Sequence, residues 1–165
     1  MLEMGDAAMP MRPGFGLKLL SLTGAMLAAA LVPHLARAAL GEPESTVTTE
    51  VQQLKASIKS MDRTNYRVHE IQLPSGTVLR EYAAVGGNVF AVAWSGPSIP
   101  DLRQALGRYF DVFVAAVKVK QAGHHHLQVR QNDFVMQSGG HMRAFAGRAY
   151  LPQSLPAGVS VDELR

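Results

Sequence analysis

Tyr66-Arg67-Val68-His69-Glu70-Ile71-Gln72-Leu73, then Pro74-Ser75-Gly76, then Thr77-Val78-Leu79-Arg80-Glu81-Tyr82-Ala83-Ala84 is the stretch on which the fold turns. Two runs rich in β-branched and aromatic residues flank a proline and a glycine, the composition of a tight hairpin turn. Alternation in the first run slips at His69-Glu70, because Val68 and Ile71 face opposite ways; a bulge there accounts for the slip. Gly86-Gly87-Asn88 makes a second turn. Val89-Phe90-Ala91-Val92-Ala93-Trp94 then runs apolar on both faces, as a covered central strand does. Together these segments predict a three-stranded antiparallel meander.

Downstream, Ser98-Ile99-Pro100-Asp101 reads as a helix start with proline in the first turn. Leu102, Leu106, Tyr109, Phe110, Phe113, Val114 and Val117 recur at helical spacing, and Gly123 supplies a stop. The spacing predicts one long helix packed on the sheet. Two extended segments, His125 to Gln137 and His141 to Leu151, look like a hairpin turning at Ser138-Gly139-Gly140, with a proline-punctuated tail behind them. Upstream, Ser45 or Thr46 can cap a helix whose stripe is Val47, Val51, Leu54, Ile58 and Met61. The order predicts an α+β fold: an antiparallel sheet of about five strands (the meander plus the C-terminal hairpin), a long amphipathic helix on one face, and an N-terminal helix.

Residues 1–38 read as a secretory signal peptide and 39–165 as one domain. Arg12 and Lys18 give a positive start, and Leu19 to Val32 is uncharged. That run is about 14 residues long, whereas a spanning helix needs about 20. Ala36 and Ala38 are the small residues a signal peptidase reads, which places the cut after Ala38. With no cysteine to carry a lipid and no twin arginine, the general secretory route is expected, with a periplasmic or secreted product and no stable membrane anchor after cleavage. Met11-Arg12-Pro13 makes a more ordinary beginning than Met1, since Glu3 and Asp6 precede the basic residues.

Removing the signal lowers the net charge from +3 to +2, with 13 basic and 11 acidic residues left. So small and scattered a charge argues against nucleic acid as a partner. Zero cysteines mean that the core alone must hold a domain of about 125 residues.

His124-His125-His126 is the most conspicuous local feature. In a strand His124 and His126 share a face, and His141 could add a third nitrogen, so these three are the weak metal candidates. No carboxylate sits at an obvious spacing to complete such a site. Gly86-Gly87 and Gly139-Gly140 lack the strand–helix context of a phosphate loop and read as turns. Ser95 lacks the flanking glycines of a nucleophile elbow, and no local pattern joins serine, histidine and acid. Glu70 and Glu81 read as facing each other across the first hairpin, with Arg67 and Arg80 near. Arg143 and Phe145 fall on one face of their strand, Arg148 and Tyr150 on the other, which argues against a single binding stripe.

Leu79-Arg80-Glu81-Tyr82, Val89 to Trp94 with Gly96-Pro97, Pro100-Asp101-Leu102, and Ser138 to Pro152 resemble a family of small secreted proteobacterial proteins known only as a domain of unknown function. The resemblance spans most of residues 39–165. It implies a Gram-negative exported protein and assigns no catalytic residue. From the residues, the expected function is a small non-enzymatic binding or accessory protein with no cofactor, whose partner is an unknown protein or envelope component. The alternative is a metal-binding protein or enzyme centred on His124, His126 and His141.

Overall fold

The computed structural model describes residues 39–119 and 126–165. Seven strands form one antiparallel sheet in the order β1-β2-β3-β4-β7-β6-β5. They are β1 (Ser57–Asp62), β2 (Tyr66–Gln72), β3 (Val78–Ala84), β4 (Val89–Gly96), β5 (His126–Gln131), β6 (Phe134–His141) and β7 (Ala144–Tyr150). The helices are short: α1 (Val47–Leu54), α2 (Leu102–Leu106) and α3 (Phe110–Val119).

This architecture corrects the expected five-stranded sheet with a long helix and an N-terminal helix. The N-terminal stripe does not continue to Met61. Lys55 takes a left-handed conformation (φ 50°), and two bonds close the helix behind it: Lys55 N donates to Gln52 O and Ala56 N to Val51 O. That is a Schellman closure with lysine where glycine is usual. The chain then reverses into β1, so Ile58 and Met61 belong to a strand. The long helix is broken at Gly107 (φ 51°), where a 3-10 turn, Gly107–Tyr109, separates α2 from α3. A Cβ on Gly107 would come within 2.7 Å of the Ala39 Cβ, so the break lets the chain at Ala39-Leu40 pack there. Asp101, not Ser98, caps α2, accepting from Arg103 N and Gln104 N; Gly123 lies outside the described residues. The expected C-terminal hairpin is three strands. They turn at Asn132 (φ 51°) and Arg143 (φ 66°), while Gly139-Gly140 lies inside β6.

Both faces of the sheet are covered, which explains the continuous apolar run in β4. On one face Ile71, Leu79, Val92, Trp94, Phe134 and Met136 pack with Leu40, Val47, Val51 and Leu106. Tyr109 stacks on Phe134 there, with ring centroids 5.6 Å apart. On the other face Tyr66, Val68, Tyr82, Phe90, Ala91 and Tyr150 pack with Leu155, Val159, Val161 and Leu164 of the C-terminal segment. The pairing of β2 with β3 is unbroken from Tyr66↔Ala84 to Gln72↔Val78, so no bulge lies at His69-Glu70. Val68 and Ile71 face opposite ways because each face has its own core. The irregularity sits on β4, where Tyr82 faces Ala91 and Ala83 faces Val89, leaving Phe90 as the extra residue. Phe90 and Ala91 consequently enter the same core.

Candidate functional site

One register row crosses the whole sheet: Ser60, His69, Glu81, Val92, Ala149, Met136 and Val129 are directly opposed in turn. Its β4, β7, β6 and β5 members are core. Its β1–β3 end is polar, and here the strand pairing brings a serine, a histidine and a carboxyl group together.

His69 is 6 % exposed and Glu81 is fully buried. Ser60, on the edge strand β1, is exposed, and its Oγ lies 2.8 Å from His69 Nδ1. On the far side of the ring, His69 Nε2 lies 3.0 Å from Glu44 Oε1. Glu44 is brought there by a 3-10 turn, Glu44–Thr46, that leads into α1. The same Glu44 oxygen accepts from Arg67 Nη1 at 2.8 Å, and Arg67 Nε donates to Asp62. Bonds to Asp62 first and to Glu44 second hold the Arg67 guanidinium even more firmly protonated than usual.

These contacts fix the proton positions on the ring. A carboxylate only accepts, so His69 Nε2 carries the hydrogen. In the neutral ring Nδ1 is therefore bare and accepts from the Ser60 hydroxyl. The group borders a cavity of about 520 Å³. Pro43 to Ser45, Thr48, Arg67 and the Gly86-Gly87 turn form its other walls.

A second groove of about 520 Å³ is lined by residues of β4, β7, β6 and β5. Leu164 and Arg165 line it as well, while Gly139, Ala146 and Gly147 contribute little side-chain bulk. Arg148 lines it too, donating from Nε to Gln137 Oε1 at 2.9 Å and from Nη1 to Val161 O at 2.6 Å. No carboxylate or imidazole side chain is among the described lining residues.

The metal candidates His124, His126 and His141 fall only in part within the described residues, which do not test them as a site. His124 and His125 lie outside the described residues, as do Ala36 and Ala38. His126 opens β5 opposite Gly139, and His141 closes β6, exposed. No group of three histidine, cysteine, aspartate or glutamate side chains placed to hold a metal ion occurs among the described residues. Glu70 and Glu81 do not face each other. Glu70 is opposite Arg80 and paired with it at 2.9 Å, whereas Glu81 is opposite His69. Arg143 sits in a turn and Tyr150 in the second core.

Sequence reasoning missed Ser60, His69 and Glu44 because they are 9 and 25 positions apart in the chain. The available signal was the slip at His69-Glu70, which marks a strand buried on both faces with a histidine on one of them.

Residues 36–164 match a family described as protein of unknown function (DUF2844), and the chain belongs to that family. No curated protein and no solved structure matches it significantly.

Proposed function

We propose that the chain is an exported protein, periplasmic or secreted, that acts by binding a protein or envelope component. Export is supported by the basic residues and short apolar run before Pro33, and by small residues at Ala36 and Ala38. The family match begins at residue 36 and leaves that run outside it. Among the described residues no helix is long and apolar enough to cross a membrane.

The observation that carries the binding reading is the second groove. It has a floor of small residues and two arginines, Arg148 and Arg165, with no acidic side chain among its described lining. Such a surface suits an extended partner segment with acidic side chains, its backbone lying close over Gly139 and Gly147.

The test is photo-crosslinking in the producing cell, with a photoreactive residue at Gln128. A defined adduct recovered outside the cytoplasm, and lost when Ala146→Trp fills the groove of a still-folded protein, supports the reading. Retention in the cytoplasm, or the same adduct from the filled variant, overturns it.

A further inference from the structure

The polar end of the His69 row carries an inference beyond binding. We propose that Ser60 is an activated nucleophile, that His69 is its general base and Glu44 the positioning residue, and that the site hydrolyses small carboxylic esters.

Nucleophilic catalysis by serine needs a base within hydrogen-bond reach and a third group that orients the base. The two distances, 2.8 Å from Ser60 Oγ to Nδ1 and 3.0 Å from Nε2 to Glu44, meet both conditions. Exposure is divided as the chemistry requires: Ser60 is open to a substrate, whereas the imidazole is buried apart from its border on the cavity. The Glu44 carboxylate accepts from Nε2 and so turns Nδ1 toward Ser60, while Glu81 stands directly opposite His69 on β3. Arg67 holds Glu44 in place. Anchoring the 43–46 turn to β2 accounts for Glu44 with Arg67 and His69. It does not account for a solvent-facing hydroxyl on the one ring nitrogen which that anchor leaves bare. The adjoining cavity, with an open wall at Gly86, has room for a short acyl chain.

In the reaction, Ser60 Oγ bonds to the ester carbonyl carbon as its proton passes to His69 Nδ1. The carbon–oxygen bond to the leaving group breaks, and the alkoxide takes that proton from Nδ1. A water molecule, giving a proton to Nδ1, then attacks the acyl-Ser60 carbonyl. The acid is released, and Ser60 Oγ recovers its proton from the ring.

The experiment treats the full chain with a fluorophosphonate and locates the adduct by peptide mass, with p-nitrophenyl acetate hydrolysis as a second readout. One adduct on Ser60 is expected. It is absent in Ser60→Ala, and it forms about a hundredfold more slowly in His69→Gln, the size of a typical general-base contribution. Ester hydrolysis falls with it. Because Glu44 acts through His69, Glu44→Gln displaces the inflection in the pH–rate profile of labelling. A structural anchor would not move that inflection. Thermal melts of each variant identify any that fail to fold, and Ser60→Ala on an exposed edge strand keeps the wild-type melt. An unlabelled Ser60 in folded protein, or labelling of folded His69→Gln at the wild-type rate, overturns the proposal. The groove is read by crosslinking and this site by labelling, so either reading can fail without the other.

Discussion

The indole of Trp94 on β4 lies over Gly147, its directly opposed residue on β7. A Cβ on Gly147 would press into the ring, 2.6 Å from Cε2. The Trp94 Nε1 hydrogen is buried with no hydrogen-bond partner among the described residues, so packing alone holds the ring. Gly147→Ala is expected to destabilise the fold by about 1–3 kcal/mol, the usual cost of overpacking a core. Urea denaturation measures it; a midpoint equal to wild type would show that the ring moves aside freely.

The C-terminal segment is a structural cover for the second core. Leu164 is 1 % exposed, and the Tyr82 hydroxyl donates to Arg165 O at 2.9 Å while accepting from Arg165 N at 3.1 Å. Leu164→Ala is expected to cost about 2–5 kcal/mol, as for other buried leucines cut to alanine. Hydrogen exchange should show the added opening first at Tyr66, Tyr82 and Phe90, whose rings lie beneath the segment. Unchanged exchange there would disprove the cover.

Two tyrosines make stability fall in alkali. Burial raises the hydroxyl pKa of Tyr82, and burial followed by the bond to Glu163 raises that of Tyr66. Both groups are neutral in the folded state at a pH where the unfolded chain begins to ionise, near 10. Their contribution is therefore complete below about pH 10 and is lost as pH rises through the higher folded-state values. Unfolding free energies between pH 8 and 11.5 should show this decline, and Tyr82→Phe should make it shallower. An identical slope in that variant would assign the decline to other groups.

Lys55 is the left-handed residue that ends α1. A side chain in that conformation costs roughly 1–2 kcal/mol, and glycine's extra unfolded-state freedom costs about 0.4–1 kcal/mol. Lys55→Gly is accordingly expected to raise stability by up to about 1.6 kcal/mol, read as a higher melting temperature. A lower melting temperature would mean that the lysine side chain contributes more than its strained backbone costs.

The same residue shows how far the fold could be read beforehand. β2, β3 and β4 were legible because proline, glycine and asparagine sit at their turns. The end of α1 was not, because a lysine occupies the position where glycine would have announced it; a helical stripe then ran on, on paper, into β1. Gly107 hid inside a strong helical period, and its role appears only when Ala39 is seen against it. Gly139-Gly140 imitated a turn, while the actual turns used Asn132 and Arg143. Of the reactive cluster nothing was legible as a motif. Ser60 meets His69 through strand register and Glu44 arrives from a separate turn, so their proximity is a property of pairing rather than of spacing.

The burial of Leu40 sets an order of events. Leu40 is fully inaccessible, its amide donates to Ala105 O, and Gly41 N donates to Val89 O. A peptidase must draw the chain on both sides of its target bond into an extended cleft, which residues fixed in this way do not permit. Under the export reading, the bond after Ala38 must therefore be cut before residues 39–41 dock. On that reading, a precursor that completed its core first would keep its leader, and folding would set the deadline for maturation.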